Sequence, residues 1–570
     1  VRIPTPDAGG PYTITIAGDN TITLNDVLIG EVWLCSGQSN MEWPLDRINT
    51  PEARRAIESA DDDQIRLFNV PNTISLHPRV DCQGAWEAST PERAARFSAV
   101  ATFFGQELRR ELGVPIGLIE ADWGGTRAEA WMSADALDQI PELADQVAMV
   151  RAVAQDPNQR AETERKMQQR WWDALDEGVV TEDWRSPDAD PDWKQMELPA
   201  HLGPEGLDQF DGVVYFRRQV ELPEGWAGKP VTLNLGPIDD FDDVWFNGVH
   251  VGSTHADGQW NINRRYEVPG EAVRGGLNTI AIRMVDHSGP GGIFGSAGQM
   301  FIQKEDMLVP IAGAWKYHRG KAMSQLPPRS GSFSINANTA TALYNGMIAP
   351  IMPFTIQGVI WYQGESNVAT CDLYARVFPA LITSWRDAWG QGDFAFYFVQ
   401  IAPFAYNGDD VRPPRLRESQ ARALALPNTG MVVTTDIGNP RDIHPQKKYE
   451  VGKRLANWAL AKTYGRSDVV YSGPVQRGMI VEGSRVRLLF EHTEGGLVAR
   501  DGELTHFQIA GADRRFVPAR ARIDGETVIV WSDEVAKPVA VRFAWSAAAE
   551  PNLFNGAGLP AAPFRTDDWE

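Results

Sequence analysis

The feature that most constrains this chain is an abrupt stop. The apolar run Val32-Trp33-Leu34-Cys35 is followed at once by Ser36, Gly37, Gln38, Ser39 and Asn40. An uninterrupted apolar run of this kind reads as a strand buried on both faces, as in a parallel sheet. Its end places a hydroxyl at the carboxyl edge of that sheet, where open α/β folds bind their ligands. Ser39 then reads two ways. It is a nucleophile if a base and an oxyanion site accompany it, or it caps the helix that follows.

The pattern recurs. Ile116-Gly-Leu-Ile-Glu-Ala121 runs into Asp122-Trp123-Gly124-Gly125-Thr126-Arg127, and Thr355–Tyr362 runs into Gln363-Gly364-Glu365-Ser366-Asn367. Met431–Thr435 ends in a loop, 436–445, that holds His444. Gln64–Val70 and Phe394–Ile401 are further strands, and apolar residues at helical spacing predict a helix over Pro91–Leu112, stopped by Gly113. Tyr449–Lys462 reads as another helix, and 404–416 as a long polar loop. Between the two α/β stretches lie short alternating strands such as Val213–Val220 and Val231–Leu235, with the hairpin signal Asn247-Gly248. After about residue 466 short β segments return, among them Arg485–Phe490 and Thr527–Trp531.

These readings divide the 570 residues into an N-terminal β segment at 1–26, a first α/β part at 27–175 and an inserted β-sandwich at 176–305. A second α/β part at 306–465 and a C-terminal β-sandwich at 466–570 complete the chain. The length alone calls for several cores. No signal-peptide pattern stands at Val1, and Pro11–Ile16 alternates like a strand whose partners are expected upstream, so Val1 reads as a mature or trimmed terminus.

The formal net charge of −21 argues against nucleic-acid or anionic-membrane partners, which reward positive charge. No apolar run is long enough to span a bilayer. Only three cysteines are present, Cys35, Cys82 and Cys371, which excludes a dense disulfide framework and leaves a Cys82–Cys371 bridge open. Their spacing carries no metal signature, and no cofactor is implied.

The four strand-end loops hold the residue types that acyl transfer needs. Ser39 attacks a carbonyl, His444 moves the proton, a carboxylate orients the imidazole, and N–H donors hold the oxyanion. Together they turn the reading of Ser39 toward the nucleophile. Trp43 and Trp123 flank the loops and can stack on a sugar or wall the core. Arg127 and Glu365 are further substrate-side residues, each with a plainer reading as a loop brace.

The motifs Gly37-Gln38-Ser39-Asn40-Met41, Trp123-Gly124-Gly125-Thr126 with Glu129-Ala130-Trp131, Trp361–Asn367 and Asp442-Ile443-His444-Pro445 with Lys448 carry a resemblance. Over roughly residues 27–460 the chain resembles the SGNH-type hydrolases, and more closely the sialate O-acetylesterase family of carbohydrate esterases. The resemblance implies a flavodoxin-like three-layer α/β/α domain, with an inserted jelly-roll that is similar to galactose-binding modules. It implies Ser39 as nucleophile and His444 as base. The oxyanion donors would be the N–H of Ser39, an N–H of Gly124 or Gly125, and a side-chain amide from Gln363 or Asn367. The family commonly places its acid three residues before the histidine, where this chain has Arg441. Asp442 is the first choice, Asp436 the second, and a backbone carbonyl the third. The implied activity is removal of O-acetyl groups from a carbohydrate, either a hemicellulose such as xylan or xyloglucan or O-acetylated sialic acid, in the periplasm or outside the cell. The alternatives are another serine esterase or lipase of the same superfamily, or a non-catalytic carbohydrate-binding protein. The oligomeric state is left open.

Overall fold

The computed structural model describes residues 4–156, 160–177, 183–189, 191–203, 207, 210–287, 289–326, 334–408 and 411–569. The chain forms two compact units, one made of 1–157 with 334–570, the other of 158–333.

The first unit is built on a seven-stranded sheet. Its spatial order is Thr429–Val432, Ala395–Val399, Gly358–Tyr362, Glu31–Gly37, Ile116–Asp122, Asp62–Asn69 and Glu87–Ser89. All pairings are parallel except the last. Side chains alternate between the two faces, as a strand requires. Trp33, Cys35, Leu118, Ile360 and Tyr397 share one core with Val100, Phe104 and Leu108 of the helix Ala99–Leu112 and with Val451 and Leu455 of the helix Lys448–Trp458. On the other face Trp361 and Phe396 pack edge-on against Trp385, and Phe378 of the same helix, Cys371–Trp389, meets Phe396 and Phe398. Helices therefore cover both faces, which is why these strands read as unbroken apolar runs.

The central Glu31–Gly37 strand joins the two α/β stretches. Gly37 closes it with φ +146°, and a Cβ there would lie 2.2 Å from the Tyr362 carbonyl oxygen. Only glycine allows the adjacent strand to come this close.

The predicted Pro91–Leu112 helix is two helices, Pro91–Arg96 and Ala99–Leu112. The break is Ser98, whose hydroxyl accepts the Ala101 N–H at 3.1 Å as an N-cap. The same hydroxyl donates to the Met41 carbonyl at 2.6 Å, so the cap anchors the segment after Ser39. The predicted loop 404–416 is also shorter than expected, because the helix Arg412–Arg422 starts within it; Asp409 and Asp410 lie outside the described residues.

The C-terminal β region has two four-stranded antiparallel sheets around their own core of Val486, Leu488, Ile509, Val528, Val541 and Phe543. It is tied to the α/β part through Arg417. This buried guanidinium donates to the carbonyls of Ile401, Ser546 and Ala547. The Phe404 N–H donates to Ala547, and the Ala405 N–H to Pro440 in the loop that carries His444. At the other end the hairpin of Gly9–Ala17 with Thr21–Ile29 is linked to the sheet by Asp26 and Arg66. All three cysteines are free, so the Cys82–Cys371 bridge does not form.

The second unit pairs a six-stranded with a four-stranded antiparallel sheet across one core that includes Val214, Phe216, Leu233, Leu235, Ile280 and Ile302. It is wider than the expected 176–305. The helix Arg160–Asp176 buries Trp171, Trp172 and Leu175 with Val213, Phe241 and Trp245 of the six-stranded sheet, and Met307–Pro310 and Gly313–Ala322 supply an edge strand and an inner strand. No helix among the described residues is long and apolar enough to cross a membrane.

Trp361 is fully buried at the contact of sheet and helix. Trp361→Ala is expected to destabilise the first unit by about 3–5 kcal/mol, the usual cost of emptying a large aromatic site. Denaturant unfolding checks this.

Candidate functional site

The carboxyl ends of the central strands meet in one place. Gln38 and the four-residue helix Ser39–Glu42 follow the Glu31–Gly37 strand. At the first position of that helix the Ser39 N–H has no intrahelical acceptor and stays available. His444 comes from the loop after Thr429–Val432, 405 residues along the chain, and its Nε2 lies 2.9 Å from Ser39 Oγ. Both side chains are half-buried. The Trp43 ring stacks on the imidazole at 4.6 Å and 14°, which fixes the ring plane. One face of Trp43 is therefore taken by His444 rather than free for a sugar.

Asp442 does not sit as a full triad acid. Its Oδ1 accepts the backbone N–H of His444 at 2.9 Å, an Asx-type turn. The same oxygen is 3.6 Å from Nδ1, beyond hydrogen-bond length, and the side chain is 45% exposed. Asp436 is engaged elsewhere, since both of its oxygens bind the Arg454 guanidinium at 2.8 and 2.6 Å. Burial, with the Lys448 charge behind it, holds His444 below its ordinary value, and Asp442 opposes this. The imidazole is thus neutral and able to accept a proton at neutral pH.

The loop amides are braces. Gln363 is fully buried and gives both Nε2 protons away, to the Thr126 carbonyl at 3.1 Å and to Asn367 Oδ1 at 2.8 Å; its Oε1 accepts from Tyr374. Asn367 Nδ2 donates to the Glu129 carboxylate at 2.9 and 3.1 Å. Neither amide is presented to Ser39, contrary to the expected third oxyanion donor. These two side chains are short, and spacing along the chain did not reveal that Glu129, Thr126 and Tyr374 would claim them.

The glycine loop lies against Ser39. A Cβ on Gly124 would be 3.2 Å from Ser39 Cβ and 2.6 Å from Glu42 Oε2. Its N–H donates to that Glu42 oxygen at 2.7 Å, so a carboxylate oxygen occupies the donor expected to serve an oxyanion. Gly125 is exposed with φ +73°, and its carbonyl accepts from Asn338. Trp123 is half-buried and donates its N–H to the Gly37 carbonyl. Arg127 is exposed, with its backbone N–H held by Asn338.

Glu365 is buried and accepts from Asn40 Nδ2 at 2.6 Å, so it faces the protein rather than a substrate. Burial raises it above the usual carboxylate range. Asn40 also donates to the Ile443 carbonyl at 3.0 Å and accepts from the Lys448 ammonium. Both Asn40 and Lys448 stood in the quoted motifs, without a role.

Beside Trp43 opens a polar cavity of about 520 Å³ lined by Glu42, Asn69, Asn72, Glu120 and Asp122, with the exposed Arg47 and Arg96 at its edge. Burial pushes Glu120 up to about 8 and Asp122 well above the carboxylate range. No three His, Cys, Asp or Glu side chains among the described residues are grouped to hold a metal ion.

A hydroxyl against an imidazole at the strand ends of a parallel sheet is an arrangement that acyl transfer can use. A family model described as "Carbohydrate esterase, sialic acid-specific acetylesterase" matches residues 265–461, which include the 363–367 loop and His444. A solved carbohydrate acetylesterase from Xanthomonas citri is 30% identical, covering 100% of this chain and 88% of its own, with a TM-score of 0.62. The sialate O-acetylesterases of rat and mouse are 25% and 24% identical, over 82% and 94% of this chain. The chain spans 64% of the rat protein's length and 77% of the mouse protein's. The protein is thus one of the carbohydrate esterases, which are carboxylic-ester hydrolases. Within them it is similar to the sialate O-acetylesterases.

A full triad acid exchanged for its amide costs about 10⁴ in kcat. With Asp442 3.6 Å from Nδ1, Asp442→Asn is expected to cost under about 10²-fold, read from kcat on p-nitrophenyl acetate.

Proposed function

We propose that this protein is a carbohydrate O-acetylesterase that works through an acetyl-Ser39 intermediate. The observation that carries the reading is the 2.9 Å contact between Ser39 Oγ and His444 Nε2. His444 takes the Ser39 proton as Oγ attacks the acetyl carbonyl. The oxyanion is held by the Ser39 N–H and by the N–H of Gly124 or Gly125, the first of these once Glu42 gives it up. The tetrahedral intermediate collapses as His444 returns its proton to the sugar oxygen, which leaves as the alcohol. His444 then deprotonates a water that attacks the acetyl group, and the proton passes back to Ser39 as acetate departs.

The layering of the α/β unit supports an SGNH-type domain, and the two sheets of the second unit a jelly-roll insertion. Substrates of this reading are acetylated xylan or xyloglucan, or O-acetylated sialic acid, met in the periplasm or outside the cell. The net charge of −21 favours the neutral hemicelluloses. The strand-end loops are polar, which disfavours a long acyl chain as substrate.

Ser39→Ala is expected to lower kcat for acetate release by about 10⁴-fold or more, and the parent to prefer acetyl over octanoyl p-nitrophenyl esters. Full activity of the folded Ser39→Ala variant would refute the nucleophile; an octanoyl preference would refute the acetylesterase. The acid side of the kcat/KM profile should fall through a midpoint below the ordinary histidine value of about 6.5, because burial and Lys448 depress His444 and the base works only when deprotonated.

A further inference from the structure

We propose that the side-chain amide of Asn40, oriented by Lys448 on one side and Glu365 on the other, is the positioning element that sets the Ser39–His444 contact. The inference rests on the reading of Ser39 and His444 as the ester-cleaving pair.

The geometry is a three-way junction. Asn40 follows Ser39 directly, and Ile443 precedes His444 directly. The Asn40 Nδ2 protons go to Ile443 O at 3.0 Å and to Glu365 Oε1 at 2.6 Å, while Oδ1 accepts from Lys448 Nζ. One amide therefore couples the neighbour of the nucleophile to the neighbour of the base, across 403 residues of chain. Other ties reach the same loop, such as the Asn49 N–H on Gln446 Oε1 at 2.9 Å, but Asn40 joins the residues directly beside the reacting pair.

The flanking charges remove the ambiguity of an amide. A neutral Asn can exchange its oxygen and nitrogen ends with little cost. With Lys448 protonated and Glu365 ionised, the flipped amide would turn its NH₂ toward an ammonium and its oxygen toward a carboxylate, so that pair of states selects one orientation. That orientation is the one that leaves a proton for Ile443.

Each member is held from a different element. Lys448 opens the helix Lys448–Trp458, and its ammonium lies over the Tyr362 ring, 5.1 Å from the centroid. Glu365 belongs to the loop after the Gly358–Tyr362 strand. Asn40, Glu365 and Lys448 are all buried, at 1%, 8% and 1% exposure. A buried lysine is costly to charge, and burial lowers this one to about 7, with Glu365 and Asp442 opposing. A lysine that only filled space would be replaced by an apolar side chain of the same volume at no loss.

The charged groups around the base are few. Asp442 faces His444 from its own loop and Lys448 from the following helix, while Trp43, stacked on the ring, is uncharged. Lys448 in turn faces Glu365, Asp442 and Tyr362. Removing the Lys448 charge should therefore raise the His444 midpoint and move the acid limb of kcat/KM to higher pH.

The test is steady-state hydrolysis of p-nitrophenyl acetate across pH by Asn40→Asp, Lys448→Met, Glu365→Gln and Glu365→Ala, with thermal unfolding to confirm the fold. Asn40→Asp and Lys448→Met are expected to lose about 10²-fold in kcat, the usual effect of a misplaced reacting pair, with KM nearly unchanged. Glu365→Gln, whose amide oxygen still accepts the Asn40 proton, should restore most of what Glu365→Ala loses. The acid limb should shift upward in Lys448→Met. Folded Asn40→Asp and Lys448→Met enzymes with the parent's kcat and acid limb would overturn the proposal. If Lys448→Met does not fold, Asn40→Asp and the Glu365 pair decide on the same criteria. Ser39→Ala separates the two levels: activity there defeats the nucleophile reading, whereas an inactive Ser39→Ala beside a fully active Asn40→Asp defeats the positioning role alone.

Discussion

The pairing of the Glu31–Gly37 strand with Ile116–Asp122 on one side and Gly358–Tyr362 on the other is the constraint on which the rest depends. The first partner lies close in sequence. The second arrives only after the chain has built the whole second unit. Both pairings run parallel, so three loops leave the sheet at the same edge. Gly37 lets the strands close to van der Waals contact where Ser39 begins. A shift of one residue in either register would turn Ser39 away from that edge and expose the face that Trp33 and Cys35 bury.

Polar groups, rather than apolar packing, connect these loops. Gln363 holds Thr126 and Asn367, Asn367 holds Ala128 and Glu129, and Asn40 holds Glu365 and Ile443. Each is buried, and each finds its hydrogen-bond partners within the protein. A strand-end loop has exposed backbone groups that must be paired, and short side-chain amides can pair donors and acceptors at once. The same logic runs outward, through Arg417 and the Phe404–Ala405 segment, to the C-terminal β region. The loop carrying His444 is therefore held from several directions, which keeps the imidazole within hydrogen-bond range of Ser39.

Much of the fold was legible because apolar runs and helical spacing are local signals. The strands at 32–35, 116–121 and 431–435 appear close to where they were read, with ends moved by a few residues. The errors came from contacts between distant residues. Ser98 splits one helix into two because its hydroxyl finds Met41, and the Arg160–Asp176 helix joins the second unit because Trp171 and Trp172 bury against its sheet. Ser39 and His444 were readable from small polar residues at strand ends, and they meet. Gln363, Asn367 and Glu365 carry side chains suited to either a substrate or a brace, and nothing local distinguishes the two.

The sequence by itself determined which residues stand at the carboxyl ends of buried strands, since an apolar run that stops in glycine and serine can place them nowhere else. It also limited the chemistry, because a serine and a histidine in such loops suit acyl transfer. Only the tertiary structure decided what surrounds them. It put Asp442 on a backbone N–H instead of on the imidazole, laid Trp43 on His444 instead of leaving it to a sugar, and set Glu42 on the Gly124 N–H. Those choices depend on distances of a few tenths of an ångström between segments hundreds of residues apart, and no local pattern encodes such distances.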